Sequence, residues 1–114
     1  MSSAAMVADL LGYDPDAPGP VLGRPSVEEV LERAAPGDVI AARDGERAVA
    51  VVVLEDGQAF ALDDRCPHDG GWLSDGWLDG DRLVCARHAW EIETCTGKCD
   101  RRPQDFVEVR RLVR

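Results

Sequence analysis

The chain has 114 residues, enough for one domain with a modest core and too few for a second catalytic domain. Its composition, 45% apolar and 31% charged, is that of an ordinary globule, and a formal net charge of −9 sets it against the phosphates of nucleic acid and the anionic surface of a membrane. No apolar run approaches the roughly 20 residues a bilayer-spanning helix needs, and the first residues lack both the basic start of a secretory signal and a twin-arginine motif, so a cytoplasmic location is the expectation.

In chain order, residues 1–25 come first and are rich in Pro, Gly, Ala and Asp. Met6 to Leu11 suits a short helix, but "GYDPDAPGPVLGRP" breaks it repeatedly, and the segment reads as an extended or partly disordered arm. The domain proper is expected over 26–114. "PSVEEVLERAAPGD" opens it with Ser26 and Glu29 at capping-box spacing and Val27, Val30 and Leu31 on one helical face, and Pro36-Gly37 ends the helix. From Asp38 the period shortens. "DVIAAR", "RAVAVVVLE" and "QAFALD" are short apolar runs separated by Asp-Gly turns, which predicts a three-stranded meander. "RLVCAR" and "HAWEIET" read as a further strand pair, and Phe106 to Val113 as a closing strand. The fold class is therefore mostly β: a small antiparallel sandwich or partly open barrel with one short N-terminal helix.

The chemistry is concentrated between residues 66 and 90, "CPHDGGWLSDGWLDGDRLVCARHAW". Cys66 and His68 stand two apart, Cys85 and His88 three apart, and sixteen residues separate His68 from Cys85. These are the only two histidines of the chain, and each sits beside a cysteine where a strand gives way to a turn. Two loops meeting at one end of a β domain would gather two thiolates and two imidazoles. A tetrahedral zinc ion accepts that set, and so does a [2Fe–2S] cluster in which two His replace two Cys on one iron. Zinc sites usually pair like ligands within a loop, whereas here each loop carries one of each kind. That mixing suits a cluster lying between the loops.

The pattern C-x-H-x16-C-x-x-H resembles the motif of Rieske iron–sulfur proteins. The likeness extends to the strand pattern from residue 37 to Cys85 and to "HAWEIETCTG", which is similar to the family's H-G-W-x-F-D-x-x-T-G. Pro103 stands where a proline often follows in the family. The resemblance covers about residues 36 to 113. It implies one Rieske-type [2Fe–2S] cluster in a two-loop subdomain, with Cys66 and Cys85 on the inner iron and His68 and His88 on the outer one. It also implies departures. Ala86 replaces a common Pro, Ala89 a Gly that often takes positive φ, Ile92 an aromatic residue and Glu93 an Asp. High-potential relatives carry a Ser and a Tyr where this chain has Trp90 and Ile92, and an extra Cys pair that its loops lack. Without hydroxyl donors to the sulfurs, the expected potential lies near or below about −150 mV.

The resemblance implies a one-electron carrier of the ferredoxin type, a monomer passing electrons from a flavin reductase to an oxygenase or another terminal enzyme. It is not the catalytic subunit of an oxygenase, because a non-haem iron site needs two more His and a carboxylate. A small subunit of a larger reductase, similar to that of nitrite reductase, is an alternative, and a zinc-stabilised binding module is a remote one. Trp72, Trp77 and Trp90 are expected to cover the cluster. Asp63, Asp64, Asp69, Asp75, Asp79 and Asp81 read mostly as turn formers, and as a set could present acid to a basic reductase. Arg65 and Arg87 flank the loops. Cys95 and Cys99 lie on either side of Thr96-Gly97-Lys98 and are left open between a short disulfide, a redox or metal-binding pair, and two thiols without a role.

Overall fold

The computed structural model describes residues 21–65, 71–86, 89–101 and 104–113. The expected helix at Met6 to Leu11 lies outside them, as does Pro103. Helix α1 spans Val27–Arg33. Ser26 caps it as its spacing predicts, with Oγ accepting from the Glu29 N–H at 3.3 Å. Four strands, β1 (Val39–Asp44), β2 (Arg47–Val53), β3 (Ala59–Asp63) and β7 (Val109–Leu112), form one antiparallel sheet in the order β1-β2-β3-β7. Strands β4 (Trp77–Asp79), β5 (Arg82–Val84) and β6 (Glu91–Glu93) form a second, in chain order. Neither sheet closes on itself among the described residues, so the expected sandwich is the form adopted.

The meander and the β5–β6 pair stand where the apolar runs place them. Strand β4 and the two 3-10 turns, Val21–Gly23 and Leu73–Asp75, are additions. The closing strand is shorter than its apolar run: Phe106 makes an isolated bridge with Lys98 and is 64% exposed, and the ladder to β3 begins at Val109. Both two-residue hairpins, β1–β2 and β4–β5, turn on a glycine at positive φ, Gly45 at 66° and Gly80 at 65°.

Strand β2 explains how the layers stack. Its run "AVAVVV" is buried on both faces. Ala50 and Val52, with Leu54, Phe60 and Leu62, face a core that includes Leu73, Leu83, Cys85, Ile92, Cys99 and Val107. Val49, Val51 and Val53, with Ala59, Ala61 and Leu112, face Val27 and Val30 of α1. The large sheet is thus a shared wall, helix on one side and small sheet on the other. Alternation is invisible in a strand with two apolar faces, which is why this one reads as a continuous run.

Residues 21–25, read in the sequence as the end of the arm, pack onto the domain. Arg24 is 5% exposed, the Pro25 carbonyl accepts from the Arg43 N–H at 2.9 Å, and Ser26 bridges Arg43 in parallel.

Candidate metal centre

Of the four expected ligands, Cys85 lies among the described residues, and Cys66, His68 and His88 lie outside them. Among the described residues no group of three His, Cys, Asp or Glu side chains converges as a metal site. The local structure around both loops nevertheless shows how the chain would present them.

Cys85 follows β5 directly, is fully buried and is a free thiol. It extends the β5–β6 ladder by one rung: its N–H donates to the Trp90 carbonyl at 2.8 Å, and its carbonyl accepts from the Ala89 N–H at 2.8 Å. Cys85, Ala89 and Trp90, the described residues that flank the second loop, therefore lie at the end of a hairpin. Ala89 sits at φ 59°, the positive-φ, left-handed conformation expected of the glycine it replaces. It is the only non-glycine residue at positive φ among those described. An L-residue there costs roughly 1–2 kcal/mol. Ile92 is fully buried, and Trp90 packs against the same core. Glu93 anchors the following turn: its N–H donates to the Lys98 carbonyl at 2.9 Å and its Oε1 accepts from Thr96 Oγ1 at 2.7 Å.

The first loop leaves β3 at Asp63 and returns through Gly71 and Trp72 into the 3-10 turn. Asp64 is fully buried, which corrects its reading as a turn former or part of an exposed acidic set. Its Oδ1 accepts from the Ser74 N–H at 2.7 Å, and its Oδ2 accepts from Ser74 Oγ at 2.7 Å and Arg24 Nη1 at 2.8 Å. One carboxylate thereby joins the residues just before and just after the loop. Asp75, Asp79 and Asp81 are exposed as expected, and Asp69 lies outside the described residues. Trp72 is half-buried beneath two cations, with the guanidinium carbons of Arg24 and Arg65 at 4.9 and 5.1 Å from its ring centre. Trp77 is 51% exposed on the edge strand β4, so it does not provide the buried cover expected of it.

The two loops are joined through backbone. A Cβ added at Gly76 would overlap the Val84 carbonyl, so the chain leaving the first loop passes in direct contact with the strand entering the second. Cys95 and Cys99 are both free: Cys95 is exposed, and Cys99 turns into the core at 1% exposure. With Cys95 at the surface and Cys99 in the core, the short disulfide that their spacing left open is not formed in this structure.

A buried thiol without a disulfide partner, at the tip of a hairpin and against an apolar wall, fits a thiolate ligand to a cluster shielded from water. Arg24 and Asp64, which fix the other loop, carried no motif. The signal available was a second Asp directly after β3, whose first four residues are apolar, two residues before the first expected ligand.

Comparison with known proteins bears on the same residues. The model of the Rieske [2Fe-2S] domain family matches residues 26–109. The ferredoxin component of the naphthalene 1,2-dioxygenase/salicylate 5-hydroxylase systems of a Ralstonia species is 34% identical over 62 residues, 54% of this chain and 59% of that protein. The match thus spans less than two thirds of that relative's length. Among solved structures, the Sphingomonas yanoikuyae B1 ferredoxin superposes with a TM-score of 0.61 at 26% identity, covering 69% of this chain and 78% of that one. A putative NADH-dependent nitrite reductase small subunit from Mycobacterium tuberculosis superposes with a TM-score of 0.63 at 21% identity, covering 69% and 75%, and shows the shared fold. With 84 consecutive positions matched by the family model, from Ser26 to Val109, the chain belongs to the Rieske [2Fe-2S] domain family, and a Rieske-type [2Fe–2S] cluster is its cofactor.

Proposed function

We propose that Cys66, His68, Cys85 and His88 hold the cluster and that the protein is a one-electron carrier, taking an electron from a reductase and passing it to an oxygenase or another terminal enzyme. The observation that carries this reading is the free, fully buried Cys85 at the tip of the β5–β6 hairpin, in a chain similar to the ferredoxin component of a dioxygenase system. The cluster supplies reversible exchange of a single electron. The protein's part is to hold and shield it. Two thiolates offset the positive charge of iron, and two neutral imidazoles in place of two more thiolates leave the centre easier to reduce than an all-Cys one. Trp90 and Ile92 occupy positions where hydroxyl donors would raise the potential, which supports a midpoint near or below about −150 mV. No described helix is long and apolar enough to cross a membrane, and we place the carrier in the cytoplasm as a monomer.

Iron and sulfide analysis of the purified protein, with EPR of its reduced form, tests the assignment. Two irons and two sulfides per chain with a rhombic reduced signal are expected. A colourless protein holding one zinc ion would end the electron-carrier reading, and a clearly positive midpoint would end its low-potential part.

A further inference from the structure

We propose that Arg24 is a positioning residue for the first ligand loop, clamping the loop to the large sheet through Asp64 and setting the potential of the centre through its charge. This rests on the assignment of Cys66 and His68 as ligands.

Arg24 and Asp64 form an ion pair at 2.8 Å with side-chain exposures of 2% and 0%. Burial of two charges is unfavourable unless their geometry and remaining hydrogen bonds are both met. Asp64 meets this condition: among the described residues it accepts from Arg24 and from the Ser74 N–H and Oγ. Arg24 Nη1 reaches in addition toward the Ala42 carbonyl at 3.3 Å and the Val49 carbonyl at 3.5 Å, on β1 and β2. The clamp therefore ties residues 64 and 74 both to each other and to β1 and β2 of the large sheet. The other nitrogens of the guanidinium, Nε and Nη2, are buried and have no hydrogen-bond partner among the described residues. The Trp72 ring, 4.9 Å from Cζ, lies against the guanidinium. The charge is thus shared between a carboxylate two residues before Cys66 and an aromatic ring four residues after His68. A guanidinium this deeply buried is screened little by solvent, so its field reaches the loop.

Charge and position make separable predictions. Removing the cation makes a nearby centre harder to reduce, and removing the anion makes it easier. Simple loosening of the loop would move both variants the same way. The test compares Arg24→Gln, Asp64→Asn and Arg24→Lys with the parent protein after cluster reconstitution, by potentiometric titration, by chelator-driven cluster loss and by amide hydrogen exchange of residues 65–74. Expected are a lower midpoint in R24Q, a higher one in D64N and a return toward the parent value in R24K. Cluster loss should be about tenfold faster or more in R24Q. Exchange should rise in 65–74 of R24Q while β2 stays protected. Should R24Q fail to fold, Ser74→Ala, which keeps the ion pair, should still raise exchange in 65–74. Midpoints that shift together, or unchanged exchange across 65–74, overturn the proposal. If the parent protein takes up no iron and sulfide, the ligand assignment falls instead, and the exchange measurement still decides whether Arg24 clamps the loop.

Discussion

The loop that carries Cys66 and His68 is fixed at its roots by a carboxylate and a guanidinium forty residues apart in sequence, whereas the loop that carries Cys85 and His88 is the continuation of a hairpin ladder. The first fixture is electrostatic, directional and assembled only when the whole domain has folded. The second is made by neighbours in the chain and stores strain at one residue, Ala89. Under the proposed ligand assignment the two loops thus have different failure modes: the first is lost by deleting a charge far away, and the second is most sensitive to changes in and beside its own hairpin. Gly76 couples them, because the chain leaving one touches the strand entering the other.

The largest effect in this comparison should come from Cys85→Ser, which removes an expected ligand that lies buried in the core; the visible absorption and the iron content should fall to background. Next is Arg24→Met. It strands the Asp64 carboxylate in the interior, and losing one partner of a buried pair costs about 3–5 kcal/mol. Denaturant titration of the cluster-free protein should show that loss, and an unchanged midpoint would mean the pair contributes little. Gly76→Ala forces a methyl group against the Val84 carbonyl and should cost about 1–3 kcal/mol while disturbing both loops at once. Amide exchange rising in one loop alone would show that they are not coupled there. The smallest effect, opposite in sign, belongs to Ala89→Gly. Relief of positive-φ strain, less the extra chain entropy of glycine, should stabilise by about 1 kcal/mol, a rise of several degrees in melting temperature.

Much of the frame was legible because its signals are local. Ser26 and Glu29 mark a helix start by spacing, Asp-Gly pairs mark hairpins, and the mixed Cys–His spacing marks the family. Strand β4 was missed although Asp79-Gly80 carries the same turn signal as Asp44-Gly45, because three residues are too few to show a period. Cys95 and Cys99 were undecidable from spacing, since a bulge-like turn at Gly97 sends one thiol outward and the other into the core. Arg24 and Asp64 were illegible for a deeper reason. A buried ion pair between segments forty residues apart leaves no periodic trace, and an arginine among Pro and Gly resembles any solvated arm.

The family model begins its match at Ser26, two positions beyond the buried guanidinium. Anyone trimming the protein to that recognised boundary would retain every motif residue and discard the cation that neutralises Asp64. Expression trials that start before Val21 and after Pro25 would differ by five amino acids, yet only the longer product should keep its prosthetic group through purification.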